Sequence, residues 1–194
     1  VLRDADIAMY KAKALGKARY ALFDKGLHAQ VSRRLQLEGD LRQALTNGRL
    51  TVAYQPLFTL DDGHLSGFEA LARWTHPTLG VIGPDVFIPI AEEAGLIMQL
   101  TDLVLQRACR QLKQWQLRDA SLANLTVQIN ISGKDLGHAG LVGRVSQALL
   151  EAGVRARHLT LELTENILMN QIEIALPMLE QLRALGVGLS VDDF

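Results

Sequence analysis

Five stretches of this sequence alternate apolar and polar side chains with a period of two: "LTVAYQPLFTL", "GHLSGFEALARW", "LTVQINIS", "LTLELTE" and "VGLSVDDF". Such alternation reads as β-strand, with successive side chains on opposite faces. In the second stretch Phe68, Ala70, Ala72 and Trp74 oppose Gly67, Glu69, Leu71 and Arg73. In the third, Val127, Ile129 and Ile131 oppose Gln128, Asn130 and Ser132. In the fourth, Leu159, Leu161 and Leu163 oppose Thr160, Glu162 and Thr164. In the last, Val187, Leu189 and Val191 oppose Gly188, Ser190 and Asp192. Strands of an open parallel sheet covered on both sides should be apolar on both faces. These are apolar on one only. The other face gathers Glu69, Arg73, Asn130, Glu162 and Asp192, mostly late in their strands. Burying such groups is costly unless they are paired or bind a metal. A (β/α) barrel reconciles the two faces, with helices outside and a polar mouth at the C-terminal strand ends, where such barrels carry their active sites.

Helical patterns separate the later strands: "PDVFIPIAEEAG", "LIMQLTDLVLQRACRQLKQWQL", "LVGRVSQALLEAG" and "ILMNQIEIALPMLEQLRALG". After an initial hairpin the order is therefore β-α-β-α-β, the pattern of a mainly parallel sheet. Three segments are expected. Residues 1–24 hold an alanine-rich helix to Gly16 and a short strand, too little to bury a core alone. Residues 25–49 form a connecting helix, with Val31, Leu35, Leu41 and Leu45 at helical spacing and Asn47-Gly48 as its stop. Residues 50–194 form the barrel. A complete barrel takes about 250 residues and eight strands. The 194 residues here carry about five, so the expected fold is an α/β TIM-like barrel, incomplete at its C-terminus.

The net charge of -1 gives no electrostatic footprint for long nucleic acids or anionic membranes. The lone cysteine, Cys109, excludes an internal disulfide framework, suits a reducing compartment and reads as a buried helix thiol. No run approaches the ~18 apolar residues of a membrane span, and no signal peptide is visible. A cytoplasmic location is expected. The five histidines are scattered, without metal-binding spacing, and His76-Pro77 reads as a loop former.

Three carboxylates and an asparagine amide make an all-oxygen ligand set, which suits Mg²⁺ or Mn²⁺ better than zinc. Asp193 points away from Asp192 in an ideal strand. A turn at the strand end would let the adjacent aspartates serve two metals. Alternatively, the acids form salt bridges with Arg73 on an ordinary solvated face.

"YQPLF", "GFEALARWTHPTLGVIGPDVFIPIAEEAGLI", "INIS", "LELTE" and "LGVGLSVDDF" follow the order and spacing of the EAL domain family, whose name is spelled by Glu69-Ala70-Leu71. The resemblance covers roughly residues 37–194. Through "ADIAMYKAKALGKARYALF", residues 1–23 resemble the closing helix and strand of a GGDEF domain, with Lys17-Ala18 in place of that family's arginine-asparagine pair. The EAL resemblance implies a (β/α) barrel that hydrolyses cyclic di-GMP to linear pGpG with two Mg²⁺ or Mn²⁺ ions. It implies Glu69, Asn130, Glu162 and Asp192 as metal ligands and Asp193 as the ligand of a second metal. Glu69, Asp192 and Asp193 then form the catalytic centre, while Gln55, Leu71 and Arg73 hold the dinucleotide, Arg73 on a phosphate. A catalytic lysine and a further metal-site glutamate are expected after Phe194. Cyclic di-GMP, a second copy of the chain and an upstream sensory or GGDEF domain are the expected partners. The alternative is a module of the same family that binds the dinucleotide without cleaving it.

Overall fold

The computed structural model describes residues 25–138 and 140–192, so the segment resembling a GGDEF tail and Asp193 both lie outside the described residues. The chain divides into two compact units, Val1–Gln43 and Ala44–Phe194. Helix α1 runs from Lys25 to Thr46 and ends just before Asn47-Gly48, as the sequence suggests. Its buried stripe is Leu37, Leu41 and Ala44, whereas Leu35 is 59% exposed. Of the four apolar residues read at helical spacing, Leu41 is buried and Val31 and Leu45 are half-buried, while Leu35 faces outward. Positions 37, 41 and 44 are spaced i, i+4, i+7 and share one face, while Leu35 lies about 200° around the helix from Leu37.

Strands β1 (Leu50–Phe58) and β2 (Leu65–His76) form an antiparallel hairpin with Gln55 opposite Glu69. Strand β4 (Thr126–Asn130) is parallel to β2, β5 (Leu159–Thr164) to β4, and β6 (Gly188–Asp192) to β5. The sheet order is β1-β2-β4-β5-β6. Helices α2 (Pro84–Glu93) and α3 (Ile97–Arg118) connect the hairpin to β4. Helix α4 (Gly133–Leu136) and helix α5 (Leu141–Ala152) lead to β5, and α6 (Glu165–Ala184) leads to β6. This is the α/β arrangement of part of a (β/α) barrel, as the alternating strands require.

Two short elements go beyond the sequence reading. Strand β3 (Gly80–Ile82) folds back antiparallel onto the end of β2, with Trp74 opposite Ile82. The buried His76 shapes that return, its Nδ1 accepting from the backbone N–H groups of Thr78 and Leu79 at 3.2 Å each. The second is the single turn of α4. Strand β5 also stops at Thr164 rather than Glu165, and α6 starts there.

The apolar strand faces meet the helices in one continuous core. Ala70, Val127, Ile129, Leu159, Leu161 and Leu163 from the sheet join Leu105, Leu112, Leu141, Val145 and Leu182 from the helices. Each fully buried leucine of this kind contributes about 1.5–3 kcal/mol relative to exposure. Cys109 is fully buried in the same cluster, and burial pushes its thiol up to about 12. Trp115 packs on Phe68 and Tyr54, with ring centroids 4.4 and 5.0 Å apart, closing the layer over the hairpin. Among the described residues no helix is long and apolar enough to cross a membrane.

The opposite face begins with small residues. A Cβ on Gly67 would stand 2.4 Å from the backbone oxygen of Thr126, its in-register partner on β4. Gly67→Ala is therefore expected to push β2 and β4 apart and to destabilise the chain by roughly 1–3 kcal/mol in urea denaturation. An unchanged midpoint would show that the two strands do not approach this closely.

Candidate metal and phosphate site

Strand register decides which side chains share the polar face of the sheet. Gln55 pairs with Glu69, Glu69 with Gln128, and Gln128 with Thr160. One step nearer the C-terminal strand ends, Asn130 pairs with Glu162 and Glu162 with Ser190. A further step brings Asp192 opposite Thr164. Leu71 and Arg73 lie two and four residues beyond Glu69 on β2 and so share its face. All the expected site residues within the described chain therefore stand on one side of the sheet, opposite the buried leucines. Asp193 lies outside the described residues.

The structure brings some of these groups into contact and leaves others a step apart. Asn130 Nδ2 donates to Glu69 Oε1 at 2.7 Å, joining β4 to β2 across one level of the sheet. Ser190 Oγ donates to Glu162 Oε1 at 3.2 Å, joining β6 to β5. Ile131 N donates to the backbone oxygen of Glu162 at 2.9 Å, which fixes the level of the two candidate ligands at the sheet's rim. Asp192 is exposed at the end of β6. Among the described residues no three His, Cys, Asp or Glu side chains converge closely enough to make a preformed cage.

The donor chemistry fits a hard divalent cation. Every candidate ligand offers oxygen, and the Asn130 amide, with its NH₂ turned to Glu69, has its carbonyl oxygen left as an acceptor that could serve a cation. The salt-bridged alternative fails for Arg73. Its Nη1 donates to the backbone oxygen of Ala72 at 3.0 Å, and among the described residues it forms no ion pair with Glu69, Glu162 or Asp192. A half-buried guanidinium on the same face as three carboxylates, unpaired with them, leaves donors for an anionic ligand.

Behind the rim lies a polar cluster that the sequence reading did not single out. The fully buried Asp135 accepts at Oδ2 from Thr101 Oγ1 at 2.9 Å and from Ser132 N at 3.1 Å. Its Oδ1 lies 3.3 Å from Arg144 Nη2. Arg144 Nε lies 2.7 Å from Asp102 Oδ1, close but out of line for a hydrogen bond. Burial pushes the carboxyl of Asp135 above the usual range, opposed by the Thr101 and Ser132 hydrogen bonds and by Arg144. Ser132 and Asp135 together form a capping box on α4, and "SGKD" directly after a strand is its sequence signal. Ser190 was legible too, since it shares the parity of Asp192.

Asn130→Asp tests the amide contact. In the presence of a chelator, a second carboxylate 2.7 Å from Glu69 is expected to destabilise the chain by on the order of 1 kcal/mol through like-charge repulsion. Added Mn²⁺ should recover the difference in a thermal melt. A variant as stable as wild type in chelator would contradict the observed pairing.

The EAL domain family model matches residues 38–194. The chain is 45% identical over 194 residues to the cyclic di-GMP phosphodiesterase NbdA of Pseudomonas aeruginosa, covering 100% of this chain and 24% of that protein. It is 44% identical over 191 residues to the bifunctional diguanylate cyclase/cyclic di-GMP phosphodiesterase MucR of the same organism, covering 98% of this chain and 28% of that protein. The chain thus spans about a quarter of the length of these curated relatives. A solved structure of the PaMucR phosphodiesterase in complex with c-di-GMP superposes with a TM-score of 0.77 at 45% identity, over 82% of this chain and 64% of that one.

Proposed function

The chain belongs to the EAL domain family, and we propose that the protein carrying it hydrolyses cyclic di-GMP to linear pGpG. The observation that carries this reading is the shared polar face of Glu69, Arg73, Asn130, Glu162 and Asp192, combined with high identity to proteins named for that activity. Glu69, Asn130, Glu162 and Asp192 hold Mg²⁺ or Mn²⁺, and Asp193 serves a second ion. Cations held by that set supply Lewis-acid polarisation of the phosphate and an activated water near neutral pH.

The chain's own groups orient and bind. Asn130 fixes one oxygen of Glu69, and Ser190 fixes one oxygen of Glu162, which restricts the direction in which each carboxylate points. Arg73, on the same face beyond Glu69, binds a phosphoryl oxygen of the dinucleotide and offsets charge that builds there during attack on phosphorus. Leu71 supplies an apolar wall between Glu69 and Arg73, and Gln55, level with Glu69 on the neighbouring strand, offers an amide to the ligand. The dinucleotide lies across the C-terminal strand ends, the position that barrel enzymes use for substrate.

Two substitutions separate the roles. In the whole protein, Glu69→Ala is expected to reduce pGpG formation to about a hundredth or less, because it removes a metal ligand together with the partner of Asn130. Activity within threefold of wild type would sink the ligand assignment. Arg73→Ala is expected to raise KM for cyclic di-GMP by about tenfold while leaving Mn²⁺ affinity within about twofold. A large loss of Mn²⁺ binding in that variant, read by calorimetry, would instead make Arg73 a support of the metal site.

A further inference from the structure

The turn that follows Asn130 is held from behind by groups on three helices. Ser132, two residues after Asn130, is gripped at two atoms. Its backbone N–H donates to Asp135 Oδ2 at 3.1 Å, and its Oγ donates to Glu92 Oε1 at 2.8 Å. Lys134 donates from Nζ to the backbone oxygen of Glu92 and from its backbone N–H to Ser132 Oγ at 3.1 Å. Asp135 is the hub. Its side chain has no exposure, and it takes hydrogen bonds from Thr101 on α3, from Ser132 and from Arg144 on α5. Thr101 is itself buried and lies 34 residues away in sequence. Arg144, with its side chain 22% exposed, reaches Asp135 on one side and Asp102 on the other.

A buried carboxylate is costly to keep unless its lone pairs are used. Here the hydrogen bonds to Asp135 tie Ser132, just after β4, to Thr101 on α3 and Arg144 on α5. A capping box alone needs only Ser132 and Asp135. Thr101 and Arg144 add tertiary anchors that tie this turn to the outer helical layer. The turn is continuous with Asn130, whose amide contacts Glu69 and whose level beside Glu162 is set by the Ile131 N–H. A displacement of Ser132 would be passed directly to Asn130, since only Ile131 separates them and its N–H is already committed.

We propose that Asp135 is a positioning residue for Asn130: the Thr101–Asp135–Arg144 cluster fixes the turn after β4 and thereby sets the Asn130 amide at the distance from Glu69 that metal binding needs. The inference rests on the functional reading above. Asp135 touches neither substrate nor metal. Its effect is carried by the backbone of residues 131–133.

The test uses the whole protein and Mn²⁺ as the probe, with affinity read by titration calorimetry and turnover read as pGpG formation over a range of Mn²⁺ concentrations. Asp135→Ala is expected to weaken Mn²⁺ binding about tenfold and to lower turnover at limiting Mn²⁺. Saturating Mn²⁺ should restore kcat to within threefold; because Mn²⁺ binding also stabilises the fold, affinity is read well below the variant's melting temperature, where a merely destabilised protein is still folded and would bind as wild type does. Asp135→Asn keeps an acceptor for Ser132 N and Thr101 but turns its NH₂ towards the Arg144 donor, so it should recover only part of the Mn²⁺ affinity lost in Asp135→Ala. Thr101→Val removes a single bond to the carboxylate and should shift affinity two- to fourfold. Folded Asp135→Ala and Thr101→Val variants with Mn²⁺ affinity within twofold of wild type would overturn the proposal, as would failure of both to fold. A wild-type protein that takes up no Mn²⁺ would overturn the metal reading itself and the positioning role with it. Normal wild-type uptake with unshifted variants would overturn the positioning role alone.

Discussion

A slip of one residue between β4 and β5 would move Glu162 off the polar face into the leucine layer and bring Leu161 out to replace it. The resulting penalties fall on both sides of the sheet. Leu161 is fully buried, and its exposure would forfeit about 1.5–3 kcal/mol. The carboxylate would enter a core with no partner for it. The same holds for Asn130 beside Ile129 and for Glu69 beside Ala70. The apolar layer thus does more than hold the chain together. It specifies the level at which each polar side chain stands at the rim, and the site chemistry depends on that alignment.

The polar face is graded along the strands. Near the strand starts, Gly67 leaves room for Thr126, so the sheet draws tight. Towards the strand ends come Glu69, then Asn130 and Glu162, then Asp192. Hydrogen bonds cross between the strands, diagonally from Asn130 back to Glu69 one level nearer the strand starts and within one level from Ser190 to Glu162. Such neutral-to-charged bonds restrain the carboxylates and would reduce the ordering cost of the proposed cation binding. Behind the rim, the Asp135 cluster continues the restraint into the helices, so the site is supported from the lumen side and from the outer layer.

Strand parity made most of this legible. Period-two alternation placed Glu69, Arg73, Asn130, Glu162 and Asp192 on one face, and the observed register keeps them there. Single-strand alternation says nothing about which strand lies at which level, so the Asn130–Glu69 contact was not readable. Strand β3 was missed because three residues give too little alternation to detect, and its pairing depends on His76 folding the loop back. The grip of Thr101 and Arg144 on Asp135 joins residues that no local pattern links, although the capping-box spacing from Ser132 to Asp135 was visible in "SGKD". In α1 the alternatives Leu35 and Leu37 are both apolar, and only packing selects Leu37.

The proposed function requires one face of this sheet to gather an oxygen ligand set for a divalent cation beside a phosphate-binding arginine. The most direct measurement is anomalous diffraction at the manganese edge from crystals of the whole protein grown with Mn²⁺ and cyclic di-GMP. The expected result is a manganese peak bounded by Glu69, Asn130, Glu162 and Asp192, with a phosphate of the dinucleotide against Arg73. A dinucleotide bound on this face without manganese at those four side chains, or manganese seated elsewhere on the chain, would contradict it.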